Sequence, residues 1–402
     1  MTPTFPSQLG RLVTRLLLAV SLAALLAACN DNNDPDFSIR TQPTPLAVSL
    51  PASAVQAGAG WAHTCAVLSD GSMQCWGANS YGQLGNGGGG VLCVEGFAVC
   101  SNGPVAVSAP PAAWGSVSGS LRSTCGIDST GAAFCWGEGR AGQLGQASQA
   151  SSKVPVAVVG GLTFKQLAPS TGADLSCGVD STDALYCWGA AARGQAGTGS
   201  VRQLATSPYV IAATQTFKSP AVGELHACAL DNTTSQALCW GANGAGQVGD
   251  GTQTDRTTPT ATLGGQAYTQ IVTGLAHTCA LDATGVAFCW GYADQIGRAT
   301  TTATERATPT AVTGDQRFVS LAAGGWHTCG LDSAGGLWCW GDNSVAQFGN
   351  GTTTSSLVPV QITGVPVFAK LIAGGGHTCG ITAAGTMHCW GANSYGQSGR
   401  LP

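Results

Sequence analysis

Cysteine and histidine are the residues whose types and spacing can do chemistry in this chain. Of its 17 cysteines, most fall into couples: Cys65 with Cys75, Cys125 with Cys135, Cys177 with Cys187, Cys228 with Cys239, Cys279 with Cys289, Cys329 with Cys339 and Cys379 with Cys389. Six of these spacings are 10 residues and one is 11. Cys93 and Cys100 make an eighth couple, and Cys29 stands alone near the N-terminus. Such couples either bind metal or close disulfides. A zinc site needs two close pairs, or nearby histidines, converging on one point. In a hairpin turning near Asp70, Cys65 and Cys75 fall opposite each other, with Cα atoms about 4.5–5.5 Å apart, within reach of a disulfide. The cysteines therefore divide into eight disulfides and one residue left for another chemistry. Each short loop so closed is worth about 2.5–3 kcal/mol of chain entropy.

Five of the six histidines, His63, His226, His277, His327 and His377, share one repeat position, which Ser123 and Leu175 occupy in two other repeats. One imidazole per repeat, at equal height around a ring, does not converge on an ion. The expectation is structural histidines that bond turn backbone. His388 is off the pattern and reads as a surface strand residue. No nucleophile elbow, phosphate-binding loop, His-Glu zinc motif or close carboxylate pair stands out. Asp70, Asp282 and Asp332 sit in turn clusters, where Asp is favoured for backbone reasons. The reading is a protein that is not an enzyme and takes no cofactor or metal.

A repeat positions these residues. Cys-Trp-Gly recurs seven times, at Trp76, Trp136, Trp188, Trp240, Trp290, Trp340 and Trp390, and the last three steps are 50 residues each. Residues 309–349 contain four short β-prone runs broken by glycine-rich turns: Pro309 to Val312, Phe318 to Ala322, His327 to Leu331 and Leu337 to Gly341. Period-2 alternation with no 3.6-residue periodicity predicts strands and almost no helix. Units of this size bury their faces only against neighbours, and the seven tryptophans read as packing between them.

The motifs closely resemble the repeats of the regulator of chromosome condensation family. They are a Gly-x-His-Thr strand, a Trp-Gly strand, then Gly82-Gln83-Leu84-Gly85 and Gly142-Gln143-Leu144-Gly145, with variants such as Asp294-Gln295-Ile296-Gly297 and Ala346-Gln347-Phe348-Gly349. The resemblance implies an all-β, seven-bladed propeller with four antiparallel strands per blade. Repeat hairpins fall near 61–77, 121–137, 173–189, 224–241, 275–291, 325–341 and 375–391. The last repeat lacks the proline-led strand that follows the others. Pro45-Leu46-Ala47-Val48 lies 20 residues before Cys65, as Pro359 does before Cys379. The N-terminal strand is thus expected to complete the seventh blade and remove an open edge. A plant photoreceptor shares the fold and senses light through Gly-Trp-Arg-His-Thr motifs. Here Trp61 and Trp326 lie in related motifs without the arginine, which argues against that use.

The N-terminus sets location. Arg11 and Arg15 precede an apolar run from Leu16 to Ala28 that is too short to span a bilayer and fits a cleaved signal peptide, residues 1–28. Leu26-Ala27-Ala28-Cys29 resembles the bacterial lipobox, which implies lipidation of Cys29 and attachment to a membrane. Asn30 after that cysteine resembles an outer-membrane sorting pattern. Residues 29–44 read as a polar, flexible tether and 45–402 as the propeller. An export signal also fits an oxidising compartment for the disulfides. Only 9% of residues are charged, the net charge is −4, and no basic stripe appears, which argues against nucleic acid.

One irregularity remains. The stretch from Asn86 to Gly103 takes 18 residues where other repeats take 9 to 11, and it holds Val91, Leu92, Cys93, Val94, Phe97, Val99 and Cys100. A loop that long usually has a use, and its apolar side chains form a candidate binding loop. The sequence therefore reads as a monomeric, membrane-tethered, extracytoplasmic protein-binding or scaffold propeller in the bacterial cell envelope, with an unnamed protein or envelope component as partner. The alternative is an enzyme or carbohydrate-binding protein using the central channel.

Overall fold

The computed structural model describes residues 40–399, apart from 94–97, 109–112, 169, 171, 202–203 and 300–301. Cys29, Val94 and Phe97 lie outside the described residues. Seven antiparallel sheets follow one another in chain order. Each runs from an innermost strand to a peripheral one. Blade 6, for example, is built from Phe318–Ala323, His327–Asp332, Leu337–Gly341 and Ser356–Ile362. The expected seven-bladed, four-stranded architecture is what folds. Helix is confined to short pieces such as Ala303–Arg306, where Thr302 and Glu305 form a capping box. Among the described residues no helix is long and apolar enough to cross a membrane.

The ring closes with the N-terminal strand. Thr41–Ala47 pairs antiparallel with Met387–Ala392 as the outermost strand of blade 7, in register Leu46↔Cys389 and Thr41↔Ala392. The strand starts four residues earlier than the proline signalled, so residues 41–44 belong to the sheet rather than to the tether. A register irregularity between Gln42 and Leu46 lets the ladder resume beyond Pro45, past the point where alternation breaks in the sequence.

The core lies between blades. Each Cys-Trp tryptophan is at most 1% exposed. In three interfaces it also lies against an inner-strand aromatic of its own blade, as Trp136 does with Trp114, Trp188 with Phe164 and Trp390 with Phe368. The second glycine of Gly-Gln-x-Gly is required by this packing. Gly85 has φ +68°, and a Cβ on it would come within 2.7 Å of Trp136 Nε1 in the next blade.

Candidate functional site

The repeated polar residues converge on a hydrogen-bonded belt that joins neighbouring blades. His63 Nε2 lies 2.8 Å from Thr124 Oγ1 of blade 2. The Thr124 hydroxyl donates to the Gln83 carbonyl at 2.7 Å, which also accepts Trp136 Nε1–H at 2.9 Å. With the threonine proton so used, the imidazole donates through Nε2–H. The same unit recurs from His226 to Thr278, His277 to Thr328, His327 to Thr378 and, across the ring closure, His377 to Thr64. All seven Cys-Trp tryptophans donate to the glutamine carbonyl of the preceding repeat, at 2.8–3.0 Å.

The histidines are therefore structural, but they bond a threonine hydroxyl of the next blade rather than turn backbone. Nε2 points across the interface, while the other face of the ring lies on the glycine of its own turn. A Cβ on Gly60 would sit 2.6 Å from His63 Nδ1. All five rings are fully buried, and burial holds their pKa values down at about 3 to 4, with neighbouring histidines adding to the effect at His277 and His377. They are neutral at physiological pH and do not relay protons. His388 is half-buried and set edge-on to Phe368.

The belt is interrupted at the two interfaces around blade 3. Ser123 faces Ser176 where the pattern would place His and Thr, and Leu175 and Ala227 hold the same two positions at the next interface. Polar chemistry gathers nearby. Arg122 stacks over Tyr81 at 4.9 Å and pairs with Glu138 at 3.4 Å, and Gln143 Nε2 donates to Asp174 at 3.3 Å. Burial, and then Glu138, push the Asp174 carboxyl above its usual range. Among the described residues, no group of three or more His, Cys, Asp or Glu side chains is placed to hold a metal ion.

The seven repeat couples are disulfides between directly opposed residues, from Cys65↔Cys75 to Cys379↔Cys389, each with Cα atoms 4.1 Å apart. Cys93–Cys100 is also bonded, between diagonal positions 6.0 Å apart. It ties down the insertion, which is a β-hairpin and not an irregular loop. Val91–Cys93 pairs with Ala98–Ala106 and gives blade 1 a fifth strand beyond the usual periphery. Val91 is 53% and Leu92 69% exposed, whereas Val99 is half-buried and its backbone is bonded to Asn79 and Ser80. Of the candidate binding residues described, Val91 and Leu92 face solvent, on an edge without charge to discourage pairing.

The central channel is walled by the innermost strands, which carry Lys165, Lys218 and Lys370 but no Asp, Glu or His. An enzyme acting through the channel would need carboxylates or histidines at one end, and these strands supply neither.

Comparison with known proteins agrees with this architecture. Models of the regulator of chromosome condensation (RCC1) repeat match residues 54–83, 130–185, 318–347, 334–381 and 370–397. The chain is 28% identical over 227 residues, 55% of its length, to the human E3 ubiquitin-protein ligase HERC2, of which the match covers 4%. It is 28% identical over 236 residues to the Arabidopsis thaliana ultraviolet-B receptor UVR8, covering 56% of this chain and half of the receptor. Among solved structures, human WBSCR16 superposes with a TM-score of 0.73 at 21% identity, covering 87% of this chain and 90% of that one. Prp20p of Saccharomyces cerevisiae gives 0.65 at 20% identity, over 83% and 81%. At these identities the structural likeness establishes the fold.

Proposed function

We propose that this chain of RCC1 repeats is a lipid-anchored, extracytoplasmic, non-enzymatic propeller that binds another protein, with the Val91–Cys93/Ala98–Ala106 hairpin as a contact element. The carrying observation is that hairpin: it exposes Val91 and Leu92 on the outer edge of an otherwise regular blade, and its own disulfide holds it in place. Apolar side chains kept in water on a rigid support favour association, because the ordering cost of binding is already met. An oxidising compartment is supported by the eight disulfides. The yeast Prp20p, whose structure was described with its binding to Gsp1p and histones, is a propeller of this kind put to protein binding.

Two variants test the reading. Cys29→Ser should abolish palmitate labelling and release the protein from membranes; unchanged retention excludes the anchor. Replacing residues 87–102 with the short connection of the second repeat should leave the melt unchanged and weaken capture of envelope partners by at least about tenfold, roughly 1.4 kcal/mol. Equal capture by both forms places the recognition surface elsewhere.

A further inference from the structure

The central channel is a pocket closed at one end. On the face that carries the Gly-x-x-His turns, backbone bonds link the turns of successive blades: Trp61 N to Ser120 O at 3.1 Å, Leu275 N to Gly325 O at 3.1 Å, and Gly375 N to Gly60 O at 3.2 Å. The Trp61 ring lies across Gly375, and Leu275 reaches over Gly172 two blades away. Below this cover lies a cavity of about 320 Å³, with Ala57, Val117, Leu167, Val272, Leu321 and Ile372 among its walls.

Most of its polar wall groups are already used. Gln56 exchanges two hydrogen bonds with the Val117 backbone, and Gln270 two with that of Leu321. Thr273 is the exception. It is 4% exposed, lines the cavity at its closed end, and its hydroxyl has no hydrogen-bond partner. At the open end the innermost strands place Lys165, Lys218 and Lys370 in a chain of net charge −4. Lys165 pairs with Asp183, whereas Lys218 bonds Ser235 Oγ and Lys370 the Val55 carbonyl, so neither charge is neutralised there. Apolar walls with a few convergent polar groups, at this volume, are the make-up of a small-molecule site.

We propose that the channel binds a medium-chain carboxylic acid with a hydroxyl at its far end. The carboxylate lies among the mouth lysines, the chain lies along the apolar wall, and the hydroxyl pairs with Thr273. An orphaned buried hydroxyl favours a ligand that satisfies it over one that does not. This reading is independent of the peripheral hairpin.

Isothermal titration of the intact propeller with decanoate, 10-hydroxydecanoate and decanol tests it. Both acids should bind one per chain, the hydroxy acid about five- to tenfold more tightly, and decanol more weakly than decanoate. Thr273→Val, close in shape, should keep decanoate binding and the melting temperature while erasing the preference. Ala323→Leu, which fills the same level of the cavity, should abolish binding of both. No binding of either acid overturns the proposal, as does a hydroxy-acid preference that survives Thr273→Val, or binding that survives Ala323→Leu in a folded protein.

Discussion

Five neutral imidazoles, each buried against the next blade, make the molecule sensitive to acid. Each has a folded pKa of about 3 to 4 against 6.5 when free. The folded state therefore binds fewer protons than the unfolded one throughout the interval between. Stability is complete above pH 6.5 and is lost as pH falls toward 4. Each histidine contributes a slope of about 1.4 kcal/mol per pH unit, so the five together remove about 7 kcal/mol per unit in mid-window. That overtakes a usual net stability of about 5–15 kcal/mol within roughly two units. Asp174 and Glu224, pushed upward by burial, act in the opposite direction, but they are two groups against five and only partly buried. Melting followed by circular dichroism should be flat from pH 7 to 9 and fall steeply below about pH 5.5. A melting temperature unchanged down to pH 4.5 would show that the rings are hydrated or protonated at no cost.

Between elements, the belt explains why His and Thr travel together in this sequence. Blade 3 has Leu175 where the belt needs His, and blade 4 has Ala227 where that His would find its Thr, so neither partner is left orphaned. Restoring one partner alone should do harm: Leu175→His buries a polar ring with no acceptor and should cost about 1–3 kcal/mol. Adding Ala227→Thr should recover most of it, since the new hydroxyl can donate to the Gln195 carbonyl that already holds Trp240. A double-mutant cycle by denaturant unfolding should give a coupling of about 1–2 kcal/mol. Additive effects would mean that the interface does not carry the bond. What was legible in the chain follows the same logic of range. The Cys65–Cys75 pairing and the strand alternation are local, so the repeat period and the opposed hairpin geometry disclosed them. The His63–Thr124 bond joins residues 61 apart and depends on how blades stack, which no local pattern encodes; the joint loss at Leu175 and Ala227 was the one trace of it. The fifth strand was hidden for a different reason. Val91–Cys93 is only three residues long, too short for alternation to show, and it sits behind the glycines 87–90 that read as loop.

For the molecule as a whole, closure decides whether the blades unfold separately or together. A propeller left open has two terminal blades with unpaired edges, and each could fray from its end as in a linear repeat array. Here Thr41–Ala47 joins the two ends of the chain within one sheet. Pro43 O accepts from Gly351 N at 2.9 Å in blade 6's outer connection, Arg40 O accepts from Asn393 N at 2.7 Å, and Val48 packs against Gly399. Removing residues 41–47 cuts the blade 7 ladder back to three strands and exposes Met387–Ala392 as an edge. The truncated propeller should melt several degrees lower, by a few kcal/mol in stability. Its calorimetric transition should broaden as blades 7 and 1 loosen ahead of the rest. The exposed edge should also promote association, visible in light scattering at rising concentration. The seven repeat disulfides do not substitute for closure, because each links strands within one blade and none crosses an interface. If the truncated and full-length proteins melt together, with equally sharp transitions, the belt and the packed tryptophans alone must hold the ring shut.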